Sequence, residues 1–285
     1  MTDRDHHVLD LLDYHRVLTT DHIQAAAFDS VVAARHRMAT LHGLGVVARF
    51  RPRPERGSAP WHYVLDTMGA IVRAARTGSE DALAHASRFR RDRQLAIAHS
   101  SHLDHLVTVN GFFTALLGTA RTSDGRCELR TWWNEAGSAQ WVADSLTMNF
   151  GYAAWKASLV RPDGLGIWHE DEYRVRFLVE VDTGTEPLKR LRDKLVRYEG
   201  LADDLGSSMP WVLFAFPTAK RESNARSTLG RHQSARRVPV ATAHRDQTAE
   251  PAEAVWSPLT GDTSQRRLAH LALSRPPAVS RSEAP

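Results

Sequence analysis

Four residues in one stretch have the types and spacing to do chemistry. Asp163 sits in the turn Pro162-Asp163-Gly164, Glu180 and Asp182 close the apolar run Val175–Val181, and Lys194 follows on the next periodic segment. Side chains alternate along a strand, so Glu180 and Asp182 leave by one face while Val179 and Val181 leave by the other. With Asp163 on the neighbouring strand, three carboxylates converge at a sheet edge. Oxygen-rich clusters of that kind suit Mg²⁺ or Mn²⁺, and such a cation polarises a phosphodiester and activates water. Asp163, Glu180 and Asp182 are therefore the candidate metal ligands. Plainer roles stand beside these. Asp163 before Gly164 is an ordinary β-turn signal. Asp182 can cap the helix that follows, as can Thr183 or Thr185.

The elements that must position these groups are legible around them. CELRTWWN (127–134) alternates as a strand, and the segments near 164–168 and 174–181 read as two more. Between the first strand and Asp163 lies a loop and short helical region, 135–157, with Trp141, Tyr152 and Trp155. A helix from about Pro187 to Leu205 spaces Leu188, Leu191, Leu195, Tyr198 and Ala202 along one stripe. Lys194 lies beside that stripe, three residues after Leu191 and four before Tyr198, so it can reach back toward Glu180. It can equally be an ordinary helix lysine that snorkels to water. The run Trp211–Phe216 is wholly apolar, which marks a central strand covered on both faces. VPVATA (238–243) and AVWSPL (254–259) follow as weaker strand signals.

Ahead of this region, residues 3–15, HIQAAAF (22–28, behind a Thr19-Thr20-Asp21 cap) and SVVAARHRMATLHGLG (30–45, stopped by Gly43 and Gly45) read as three helices, the third with Val31, Ala34, Met38 and Leu41 at helical spacing. A strand, a basic Pro-rich tip and a second strand come next, in GVVARFRPRPERGSAPWHYVL. Three helices and a hairpin make a winged helix-turn-helix. Arg35, His36 and Arg37 on the third helix then face DNA bases, and Arg49, Arg51, Arg53 and Arg56 bring the wing to phosphate or the minor groove. The alternative use of such a unit is protein pairing, with the arginines solvated. From Gly69 to Thr119 the chain reads as helix. His99, His102 and His105 there are spread around the helix rather than paired as in a zinc helix motif, so they are surface or core-edge residues.

Composition narrows the classes. The 285 residues carry 42% hydrophobic and 25% charged side chains, which fits a globular protein of two modest domains. A single cysteine, Cys127, excludes an internal disulfide and any CxxC metal site. No apolar run approaches a membrane span and none follows the polar N-terminus, so a cytoplasmic protein with no membrane partner is expected. The net charge of +4 permits nucleic-acid binding without requiring it.

The order helix, three strands, helix, strand, with PD…ExD, resembles the PD-(D/E)xK nuclease-like fold. From the winged helix through EVDTGTEPLKRLRDKLVRYEGL, roughly residues 5–260, the chain resembles the replication-relaxation family of actinobacterial plasmids and mobile elements. The EVDTGTE…K…Y pattern carries most of that specificity. The resemblance implies an α+β or α/β chain with a winged helix-turn-helix at 1–78, a helical connector at 79–97, a restriction-endonuclease-like domain at 98–260 and a largely disordered tail at 261–285. It implies a DNA-binding protein acting in replication, mobilisation or DNA relaxation. Double-stranded DNA is the expected partner, a relaxase or replication initiator a second one, and a homodimer the expected assembly. Asp163 and Glu180 match the motif's first two acids as catalytic groups. Asp182 stands where the motif has lysine, and an aspartate cannot do that lysine's work. Some members of the wider fold carry it on the next helix, where Lys194 lies. The second domain either cuts DNA with Mg²⁺ or Mn²⁺ or holds it as an inactive scaffold. A regulator acting through the winged helix alone, or an adaptor, is the alternative.

Overall fold

The computed structural model describes residues 1–53, 57–78, 80–146, 160–245 and 250–274. The chain divides into two units, Met1–Arg121 and Thr122–Pro285.

The first unit begins with α1 (Asp3–His15), whose Thr2 and Asp5 form a reciprocal capping box. Then come β1 (Leu18–Thr19), α2 (Thr20–Ala27), α3 (Val31–Gly43), β2 (Val47–Phe50) and β3 (His62–Leu65). The three strands form one antiparallel sheet in the order β1-β3-β2. α3 starts at the Ser30 cap, which accepts the Ala33 N–H, and buries Ala34, Met38 and Leu41. Val31, expected on the same stripe, is only half-buried.

The helical stretch expected from 69 to 119 is broken into α4 (Thr67–Thr77), α5 (Glu80–Ser87), α6 (Arg91–Leu95), a 3₁₀ turn and α7 (Leu103–Thr122). Gly78 in the left-handed region ends α4. Helix α7 belongs to the first unit, so the boundary falls after 121 and not at 98. The reason is packing. Asn110, buried in α7, donates to the carbonyls of His15 and Val17 at 3.1 and 2.7 Å. Leu103 joins Val17, Ala48, Val64 and Ile97 in one apolar cluster against the sheet.

The second unit is built on a six-stranded mixed sheet ordered β4-β5-β6-β7-β8-β9. These strands are β4 (Cys127–Asn134), β5 (Gly164–Glu170), β6 (Tyr173–Val181), β7 (Trp211–Phe216), β8 (Val240–His244) and β9 (Ser257–Pro258). β4, β5 and β6 are antiparallel neighbours, whereas β6-β7 and β7-β8 are parallel. Every residue of β7 is buried, as a doubly covered central strand requires. Helix α8 (Glu135–Ser145) follows β4, α9 (Leu188–Leu205) connects β6 to β7, and α10 (Ala219–Leu229) connects β7 to β8. The core beneath α9 and α10 gathers Leu178, Leu191, Leu195, Leu201, Val212, Phe214, Ala225 and Leu229. At Gly166, an added Cβ would stand 2.1 Å from the Phe177 ring, so only glycine lets that ring lie flat across β5.

Residues 261–274, expected to be largely disordered, are ordered. Trp256 bridges to Arg266, and Leu268, Ala269 and Leu271 are fully buried ahead of and within a 3₁₀ turn. The tail is held because LAHLAL (268–273) carries enough apolar surface to bury. Tyr152 and Trp155 of the expected helical region lie outside the described residues.

Candidate functional site

β6 delivers Leu178, Glu180 and Asp182 to one face by simple alternation, and α9 and α10 cover that face. Glu180 is 1% exposed. Lys194 Nζ donates to its Oε2 at 2.7 Å and the Tyr198 hydroxyl to its Oε1 at 2.6 Å. Both donors lie on α9 one turn apart, so the stripe that buries Leu191 and Leu195 also aims the ammonium and the phenol at one carboxylate. Lys194 does reach back to Glu180, as its helical position predicts. Tyr198, read from the sequence only as a core residue, is the group that sequence reasoning missed here.

Asp163 comes to Glu180 from β5's side. Its backbone N–H donates to the Val179 carbonyl at 2.9 Å, and its Oδ2 accepts the Val181 N–H at 2.7 Å. The Asp163 side chain thereby continues the β5–β6 ladder past Gly164. Burial raises the Glu180 carboxyl to about 7, against the pull of Lys194, with the charge on Asp163 adding to the rise. Burial likewise lifts the Tyr198 phenol well above its ordinary value, reinforced by Glu180. For Lys194 burial works against the charge, yet Glu180 and Asp163 hold it above its usual range. The arrangement is one buried carboxyl near neutrality beside a fixed cation. Such a group can take up or release a proton at physiological pH.

Asp182 takes no part in this. Its side chain is fully buried and paired with Arg221 of α10, whose Nε donates to Oδ2 at 2.6 Å. Oδ1 accepts the Gly184 N–H at 3.0 Å, and Arg221 also donates to the Glu186 carbonyl. Asp182 therefore anchors the β6–α9 loop. The three carboxylates were expected to converge as ligands of Mg²⁺ or Mn²⁺; Asp163 comes to Glu180, but Asp182 turns to Arg221 instead. Arg221 already supplies the counter-charge for Asp182, and Glu180 uses both oxygens on Lys194 and Tyr198. Among the described residues no three His, Cys, Asp or Glu side chains are grouped to hold a cation. The donor set as arranged does not fit that metal.

The expected DNA-facing residues of the first unit divide as well. Arg35 and His36 are exposed on α3, and Arg35 has no carboxylate partner among the described residues. Arg37 is different. Its Nε and Nη2 clasp Asp5 of α1 at 2.8 and 2.5 Å, and Asp5 is fully buried. Burial works against the Asp5 charge, yet Arg37 and the Thr2 N–H hold its carboxyl down at about 2. Arg37 thus locks α3 to α1, a structural duty where a base contact was expected. On the strand pair, Arg49 is half-buried while Arg51 and Arg53 are exposed, and Arg56 lies outside the described residues. The Arg49 and Arg51 guanidinium carbons stand 4.2 and 4.8 Å from the Trp61 ring centroid. Neither arginine has an ion-pair partner among the described residues, in contrast to Arg73, Arg76 and Arg121 in the same unit.

None of the described helices is long and apolar enough to cross a membrane. The family model described as replication-relaxation matches residues 9–210. No curated protein and no solved structure matches the chain.

Proposed function

The chain belongs to the replication-relaxation family, and from that premise we propose that it binds duplex DNA of a plasmid or mobile element during replication, mobilisation or relaxation. In this reading the first unit is a winged helix-turn-helix: α1, β1, α2, α3, β2 and β3 follow one another in that order, with α3 as recognition helix and the β2–β3 connection as wing. The observation that carries the reading is the segregation of arginines. Arg37, Arg73, Arg76 and Arg121 are spent on carboxylates, while Arg35 on α3 and Arg49, Arg51 and Arg53 on the wing have none among the described residues. Cations left uncompensated on both docking elements are the electrostatic footprint of a polyanion partner.

The second unit, in the same reading, is a PD-(D/E)xK-like scaffold that holds DNA without cutting it. Lys194 reaching Glu180 from the following helix, with Asp163 beside Glu180, is what supports that kinship. Asp182 is bound to Arg221 and offers no ligand, which supports inactivity. Two measurements test this. Binding of labelled duplex should fall steeply with salt, and Arg35→Ala should weaken it about tenfold. Supercoiled plasmid incubated with the protein and Mn²⁺ should stay intact. Nicking that Glu180→Gln abolishes would replace the scaffold reading with that of a nuclease.

A further inference from the structure

We propose that Trp61 is a positioning residue that holds Arg49 and Arg51 ready to grip the phosphate backbone of duplex DNA, an inference that rests on the DNA-binding reading above. The main chain of Trp61 is anchored independently of the arginines. The Trp61 carbonyl accepts the Thr20 N–H at 2.9 Å and the Thr20 hydroxyl at 3.4 Å, which ties its main chain to the first turn of α2 and sets where the side chain starts. The strand register does the rest. Arg49 pairs with Tyr63 and Phe50 with His62, so Arg51 falls opposite Trp61 and Arg49 diagonal to it on the same sheet face. Phe50 and His62 stack on the opposite face, 5.3 Å apart, and Phe50 packs against the apolar cluster of Val17, Ala48 and Val64. That packing fixes which face the arginines occupy.

Two guanidinium groups sharing one indole repel each other. The negative face of the ring offsets part of that repulsion, and a bridging polyanion relieves the remainder. A stacked guanidinium keeps its N–H edge free for bidentate contact with phosphate oxygens. The side-chain ordering that binding would otherwise cost is already done in the free protein.

The test uses the full chain and fluorescence anisotropy of labelled duplexes, one A·T-rich and one G·C-rich. Trp61→Leu keeps apolar bulk without a π face, and Trp61→Phe keeps a π face. Trp61→Leu should weaken binding about tenfold to both duplexes, with a salt slope near that of the wild type because the charges remain. Trp61→Phe should recover most of the loss. Arg49→Ala with Arg51→Ala should weaken binding and lower the salt slope by about 2. Adding Trp61→Leu to that double variant should then change nothing more. A full additional loss there would make Trp61 a purely structural residue and overturn the proposal. Trp61→Leu binding as tightly as wild type would overturn it too, and a loss confined to the A·T-rich duplex would overturn the assignment to phosphate. Wild-type protein that binds neither duplex defeats the DNA-binding reading itself, an outcome distinct from all of these.

Discussion

The two units differ in the titratable groups that they hide beside their ion pairs. Besides the buried Asp5–Arg37 pair, the first holds two uncharged imidazoles: burial lowers His15 to about 3 and His22 to about 4, so both stay neutral in the fold. The second buries three carboxylates that each have a lysine or arginine partner, Lys194 for Glu180, Arg221 for Asp182 and Arg267 for Glu170. A neutral buried ring is costly only when it gains a proton. A buried carboxylate is costly whenever its partner is lost. The imidazoles are therefore vulnerable to acid, and the ion pairs of both units to substitution.

The largest expected effect comes from breaking a pair in the second unit. Lys194→Met should destabilise it by about 3–5 kcal/mol in urea unfolding, since Glu180 keeps only Tyr198. Glu180→Gln combined with Lys194→Met should recover most of that loss. A double variant as unstable as the single one would show that the pair does not govern the site.

Acid should divide the units. The folded-state values of His15 and His22 lie below the unfolded value of 6.5, so their contribution is full above 6.5 and is lost as pH falls toward 4 and 3. Glu180 runs the other way. Its value is raised from 4.5 to about 7, so its contribution is full below 4.5 and is lost as pH rises through 7. Hydrogen exchange of amides assigned to each unit should show stabilities of opposite slope across the shared window. Parallel slopes would break the comparison.

The smallest effect sharpens it. His15→Leu keeps a buried side chain of similar size, so at alkaline pH it should cost less than about 1.5 kcal/mol. The same variant should flatten the acid side of the first unit's profile. Chemical denaturation at two pH values measures both.

Much of this was legible in the sequence, for a local reason. Strand alternation placed Glu180 and Asp182 on one face, helical spacing placed Lys194 beside Tyr198, and the run Trp211–Phe216 announced a central strand. The misreadings are all long-range. Arg37 meets Asp5 and Arg221 meets Asp182 across 32 and 39 residues, and no local pattern shows that an arginine is already taken. Helix α7 joined the first unit through Asn110, whose carbonyl partners lie 93 and 95 residues away. The ordered tail did carry a signal in Leu268 and Leu271, masked by the Pro/Ser-rich residues that follow.

That tail sets the order in which the chain can be completed. Arg267 donates to Glu170 across 97 residues and pairs with Glu253 as well. Glu170 also accepts from the fully buried Trp168. During synthesis the first unit can fold as soon as it emerges, because domains fold as units from the N-terminus. The second cannot. Until Arg267 leaves the ribosome, Glu170 at the end of β5 lacks its cation and keeps the Trp168 indole as a partner.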